Sequence, residues 1–203
     1  EGREGAELMP NNPVATFETS KGTIKCEIYL DRVPITASNF LDLALKKFYD
    51  GLHFHRVIPQ FMIQTGCHYT LDPRSAKAGT GYPEPGSEFK LANNQIETRK
   101  GGCIRDELVS KDSNVPGTLS MANMGTPGSG GSQFFMNVAH NDFLDWFTPD
   151  KKNDAKHCVF GKAVDDQSLK VMKDISLVET RDDCPVIPVK ITSVVVTGHS
   201  MQE

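Results

Sequence analysis

One cation stands inside an apolar run. In F-H-R-V-I-P-Q-F-M-I-Q-T-G, residues 54–66, Arg56 has Phe54, Val57, Ile58, Phe61 and Met62 for company, while the nearest acids in sequence, Asp50 and Asp72, lie outside the run. Arginine is almost never fully buried without a partner. An arginine kept at the lip of an apolar pocket calls for a functional reading; the plain alternative is a structural ion pair.

Other candidate chemistries are weaker. His53 and His55 share one face of a strand, and Cys67-His68 and His157-Cys158 add soft ligands, but zinc needs four ligands to converge, whereas adjacent strand residues point apart. No G-x-S-x-G elbow is present for a serine nucleophile. The glycine-rich T-P-G-S-G-G-S at 126–132 lacks the Lys-Ser/Thr ending of a phosphate loop and leads into a strand, so it reads as a structural turn; G-T-G-Y-P-E-P-G at 79–86 fails as a dinucleotide fingerprint. Neither a metal nor a cofactor is expected.

Short strands must position these residues. Residues 14–19 and 23–30 alternate with the period of half-buried strands around a turn at Ser20, Lys21 and Gly22. Further β-branched or aromatic segments follow at 54–58, 61–65, 118–121, 133–138, 159–163 and 190–197. Helical spacing predicts a helix over 34–47, with Pro34 in its first turn, and another over 166–177 with Asp165 or Asp166 as N-cap. Eight strands joined mostly by short links favour an antiparallel architecture, and closing it into a barrel removes its edges. The stretches 68–88, 90–116 and 145–156 exceed ordinary loop length, which predicts function or disorder in some of them.

Composition bounds the rest. With 203 residues the chain can bury one core, expected over 14–203 behind a polar, flexible tail at 1–13. A net charge of −4 and no basic block argue against nucleic acid, and no apolar run reaches membrane-spanning length. Five scattered cysteines without C-x-x-C suit free thiols in a reducing cytoplasm better than a secreted disulfide framework, one disulfide among four of them being the alternative.

Beyond the arginine run lie G-T-L-S-M-A-N-M-G (117–125), G-S-Q-F-F-M-N-V (131–138), F-L (143–144) and H-C-V-F-G-K (157–162). Together and in this order, these segments resemble the cyclophilin family of peptidyl-prolyl cis-trans isomerases, from about residue 14 to 198. The resemblance implies a mainly β fold, a closed eight-stranded antiparallel barrel capped by two helices, with an active groove on its outer face. It implies Arg56 as the catalytic arginine, with Phe61, Gln64 and Asn123 in the catalytic set. Ile58, Met62, Phe135, Phe143, Leu144 and His157 would take the proline and its surroundings, Ala122 and Gln133 the peptide, and Gly79 and Met124 a neighbouring pocket. Gln133 could equally hold Arg56. Proline-containing peptides and unfolded proteins are the implied partners of a monomer.

The chain departs from that pattern in two places. Many cyclophilins carry a tryptophan where Phe143 stands, and its indole N–H helps to hold cyclosporin; phenylalanine keeps the wall but not the donor, so weakened cyclosporin affinity is expected. Twelve residues separate Leu144 from His157, and Trp146, the only tryptophan, lies in that insert. A proline-segment binding module with incidental turnover is the main rival, and a thiol-regulated protein a weaker one.

Overall fold

A computed structural model describes residues 12–148 and 156–198. The expected tail lies outside the described residues except for Asn12 and Pro13. These two are hydrogen-bonded to the domain: the Asn12 side chain to Glu27 Oε1, and the Pro13 carbonyl to the N–H of Ile28.

The chain runs β1 (Val14–Thr19), β2 (Gly22–Ile28), α1 (Pro34–Leu45), β3 (Arg56–Ile58), β4 (Met62–Thr65), β5 (Glu88–Lys90), β6 (Ile96–Thr98), β7 (Thr118–Met121), β8 (Phe134–Asn137), β9 (Val159–Ala163), α2 (Asp166–Ser176), β10 (Thr180–Arg181), β11 (Cys184–Pro185) and β12 (Ile191–Thr197). Eight of these form one antiparallel sheet in the order β12-β1-β2-β9-β7-β8-β4-β3. They are the eight strands expected from the sequence. The sheet curls until its two ends meet: Phe54 donates to the carbonyl of Val189, Gly51 to that of Ile191, and Ile191 to that of Leu52. Backbone bonds between residues 51–54 and 189–191, at the start of β12, thus bridge the ends of a strongly curled, half-barrel sheet.

Two short hairpins, β5–β6 and β10–β11, escape sequence patterning because strands of two or three residues carry no readable period. The second turns through Asp182 and Asp183, at φ +51° and +63°. Consecutive left-handed residues match the twist of a two-residue hairpin, and aspartate tolerates this conformation better than most residues.

The helices end for identifiable reasons. α1 stops two residues short of the expected Lys47, which sits in the left-handed region at φ +61°. There the N–H of Lys47 bonds to the carbonyl of Ala44, and that of Phe48 to the carbonyl of Leu43, the closure that terminates many helices. At its start, the Val33 side chain makes no capping bond; Glu107, from the long 90–116 stretch, accepts from the N–H groups of Ile35 and Thr36 at 3.0 and 2.8 Å. α2 begins as expected, Asp165 accepting from the N–H of Ser168 at 2.7 Å.

That same stretch supplies Arg99, 1% exposed, which donates to Asn39 Oδ1 at 2.7 Å and Asp42 Oδ2 at 2.6 Å and lies over the Phe89 ring. Pairing on several sides satisfies the buried guanidinium. The long polar segment is therefore an anchored brace on α1.

Inside the barrel, Phe17, Phe40, Phe134 and Phe160 pack ring against ring with centroids 5.4 to 5.9 Å apart. Val57, Ile63, Leu119 and Met136 point inward from adjacent strands and are fully buried. Alternation along each strand then turns the residues beside them outward.

Candidate active site

Strand register builds the outer face. Arg56 pairs with Gln64 across β3 and β4, Gln64 with Phe135 across β4 and β8, and Phe135 with Ser120 across β8 and β7. Since directly opposed residues share a face, Arg56, Gln64 and Phe135 stand in one row. A parallel row holds Ile58, Met62 and Asn137.

On this face Met62, Phe135 and Leu144 form a second hydrophobic cluster, separate from the core, with Ile58, Phe61 and Ala122 packed against it. It floors a groove of about 580 Å³ lined by Arg56, Phe61, Met62, Gln64, Gly79, Ala122, Asn123, Phe135, Leu144 and His157, together with His55, Ala78, Asp182 and Asp183. Ten residues predicted from the sequence meet there. Met124 and Gln133 instead line an adjoining pocket of about 70 Å³ with Gln64, Gly79, Ala122 and Asn123. Ile58 supports the floor from outside the groove, and Phe143, 48% exposed, stacks on Phe61 with ring centroids 5.7 Å apart.

Arg56 has no acid within its run but gains one in the fold. Its acidic partner is neither Asp50 nor Asp72 but Asp183, whose Oδ2 lies 3.6 Å from Nε; the two side chains are 47% and 51% exposed. A half-exposed pair at this distance is weak, so the guanidinium stays on the groove wall, reachable from solvent. The N–H of Val57 donates to the carbonyl of Asp183 at 2.7 Å, which fastens the β10–β11 turn beside Arg56.

Gln133 makes no bond to Arg56. Its Oε1 accepts from Gln64 Nε2 at 3.2 Å, and its Nε2 donates to the carbonyls of Gly79 and Gly81 at 2.9 and 3.0 Å. The amide ties the 79–81 loop to the strands. Asn123 spends its side chain locally, Nδ2 on the Lys156 carbonyl and Oδ1 on the N–H of Gly125. Its own backbone N–H and carbonyl take no hydrogen bond among the described residues, and both are available to an incoming chain.

His157 Nδ1 faces the Met121 carbonyl at 2.8 Å, which requires that nitrogen to be the donor. The ring stands edge-on to Phe135 at 5.1 Å. His53 is structural, with Nδ1 bonded to the Thr70 carbonyl at 2.7 Å. Burial, and then the charge of Arg56, push His55 down to about 4, so that it is neutral at pH 7.

Behind the groove a buried polar network fixes its rim. Asn141 Nδ2 donates to the Phe61 carbonyl and to Asn137 Oδ1, Asn137 Nδ2 donates to Thr118 Oγ1 and Ser120 Oγ, and Asp145 accepts both the N–H and the side-chain amide of Asn114. Asp145 directly follows Leu144, so the network holds both sides of the apolar floor. Trp146 donates its indole N–H to the Ser110 carbonyl at 2.9 Å and does not line the groove.

Sequence reading passed over Asp182 and Asp183. The pair of adjacent acids in T-R-D-D-C-P was the available signal, but nothing local ties it to Arg56, more than a hundred residues earlier.

Residues 14–196 match the family model described as cyclophilin type peptidyl-prolyl cis-trans isomerase/CLD. A peptidyl-prolyl cis-trans isomerase of Acinetobacter baylyi is 35% identical over 188 residues, covering 90% of this chain and 85% of its own. A peptidyl-prolyl cis-trans isomerase-like 3 protein of Gibberella zeae is 37% identical, covering 92% and 97%. A Cryptosporidium parvum cyclophilin, crystallised in the presence of the dipeptide Ala-Pro, shares the fold with a TM-score of 0.68 at 22% identity over 90% of this chain and 98% of that one. The chain belongs to the cyclophilin-type peptidyl-prolyl cis-trans isomerases. Its barrel is the cyclophilin fold, and its activity is that of the family.

Proposed function

We propose that the outer groove seats a proline-containing segment and that Arg56 drives rotation about the X-Pro bond. The observation that carries this reading is the register that sets Arg56, Gln64 and Phe135 side by side above the apolar floor of Met62, Phe135 and Leu144.

The chemistry follows from the amide. Rotation about it costs about 18 to 20 kcal/mol, because resonance gives the C–N bond double-bond character. At the halfway point resonance is lost, the nitrogen becomes pyramidal, and its lone pair first becomes a hydrogen-bond acceptor. A guanidinium aimed at that nitrogen stabilises the twisted state and not the planar one, as differential binding requires. Turnover at about 10³ per second needs a barrier of about 13 kcal/mol, a reduction of roughly 6. One charge-assisted bond contributes about 1.5 to 3 kcal/mol. The remainder falls to the pocket: Phe61, Met62, Phe135 and Leu144 hold the pyrrolidine, Gln64 and the Asn123 backbone hold the flanking chain, and water, which favours the polar planar amide, is displaced. The adjoining pocket at Gly79 and Met124 takes a neighbouring side chain. No nucleophile, metal or cofactor enters these steps.

Proline-bearing peptides and unfolded chains are the substrates on this reading, and a phenylalanine at 143 makes cyclosporin a weak inhibitor. All five cysteines are free thiols, which suits a reducing compartment, and burial of Cys26, Cys67 and Cys158, which pushes the Cys158 thiol up to about 12, leaves only the half-buried Cys103 and Cys184 open to redox chemistry. No helix among the described residues is long and apolar enough to cross a membrane.

A coupled assay on a proline peptide tests the mechanism. Arg56→Ala is expected to lower kcat/KM about 10²-fold, with Arg56→Lys intermediate. Equal rates for wild type and Arg56→Ala would refute it.

A further inference from the structure

We infer that the turn formed by Asp182 and Asp183 makes this groove prefer peptides carrying lysine or arginine beside the proline. The inference rests on the isomerase reading above and names a substrate class within it.

Both aspartates line the groove that contains Arg56 and the apolar floor. Leaving the two histidines aside, the charged groups on its wall are Arg56 against Asp182 and Asp183, one positive charge against two negative. Asp183 is partly offset by Arg56 at 3.6 Å. The Asp182 side chain forms no hydrogen bond or ion pair with any described residue, and neither does that of the preceding Arg181, which does not line the groove. On the groove wall itself the sum is therefore negative, with Arg181 the nearest cation in sequence outside it.

Position makes that excess selective. The bond from Val57 N–H to the Asp183 carbonyl holds the turn against the strand that carries Arg56. A proline seated on Met62, Phe135 and Leu144, with its nitrogen facing Arg56, brings one adjacent residue to the turn. A cation there completes the charge balance, whereas an anion meets Asp182 directly. Like-charge juxtaposition of this kind discriminates by repulsion as much as by attraction. The remaining wall is apolar or neutral, so the opposite side of the proline gains no such preference.

The test is a peptide series with lysine, alanine or glutamate placed in turn before and after the proline, read as kcat/KM at about 20 mM and about 500 mM salt. At low salt one of the two positions should favour lysine over glutamate by about five- to tenfold, and high salt should compress the ratio, since exposed charges are screened within about 10 Å at 0.1 M. Within each variant the ratio is its own control. Asp182→Asn should reduce it to about half on a logarithmic scale, and Asp182→Asn combined with Asp183→Asn should bring it near one; asparagine suits the same left-handed turn. A wild-type ratio near one at both positions, or a ratio that survives in the double variant, overturns the inference. Turnover of the alanine peptide keeps the two readings apart. If wild type turns it over without a charge preference, this inference alone falls; if it does not turn it over, the isomerase reading falls and takes the inference with it.

Discussion

Phe134 and Phe135 are consecutive on one strand yet belong to different hydrophobic clusters. Phe134 packs inside the barrel against Phe17, Phe40, Tyr49 and Phe160, whereas Phe135 packs outside with Met62 and Leu144. Shortening each ring to leucine should therefore separate folding from turnover. Phe134→Leu is expected to cost about 1.5 to 3 kcal/mol in urea denaturation, while the folded protein keeps kcat/KM within about threefold. Phe135→Leu should cost less stability and lower kcat/KM at least about tenfold if, as proposed, the ring seats the proline. Equal effects of the two on both measurements would refute the division.

Glu107 caps α1 from 71 and 72 positions along the chain. Glu107→Ala leaves two buried N–H groups without acceptors, a loss of about 1 to 3 kcal/mol by chemical denaturation. Glu107→Gln retains one acceptor oxygen and should lose less. Equal losses would show that the cap is not what the carboxylate provides.

His55 makes stability depend on pH. Burial first, then Arg56, lower it from the usual 6.5 to about 4, with the Gln133 side chain partly opposing them. Above pH 6.5 both folded and unfolded chains leave the ring neutral. As the pH falls from 6.5 towards 4 the unfolded chain takes the proton and the folded one does not, so stability drops by up to about 1.4 kcal/mol per pH unit. Below 4 both are protonated and the loss stops growing. Unfolding free energies measured at several pH values should show a shallower fall for His55→Gln than for wild type across this window. Parallel curves would rule out His55 as the source.

Phe143 stacks on Phe61 without a polar atom to offer, and the indole N–H of Trp146 is engaged by Ser110. Cyclosporin should therefore inhibit weakly, and Phe143→Trp should tighten inhibition by about tenfold, the value of one added hydrogen bond. A nanomolar inhibition constant for wild type would contradict this.

The eight barrel strands were legible because each has a β-branched or aromatic period and flanking turn residues. Arg56, Gln64 and Phe135 were named through the family resemblance of two separate signatures, and their alignment in one row came from strand register. Legibility failed where the cause was distant. Asp183 reaches Arg56, Glu107 reaches α1, and Arg99 reaches Asn39 through the folded chain, and no local pattern announces such encounters. The stretch 90–116 looked like a surplus loop for the same reason: its anchoring groups, Arg99 and Glu107, are charged residues that sequence reading assigns to solvent. Helix ends were missed by a residue or two, as with Lys47, because a left-handed lysine mimics helical propensity in sequence.

Stitching residues 51–54 to 189–191 has a bearing on recognition. Many peptide-binding domains hold a guest by adding it to a sheet as an extra ribbon, drawing their affinity from its main chain. A seam sewn shut withholds that option along its length, which leaves the proposed groove, with its rings, loop amides and charges, as the place to grip a visiting chain. Such a grip releases as readily as it seizes, which suits a protein that must let go of every chain it turns.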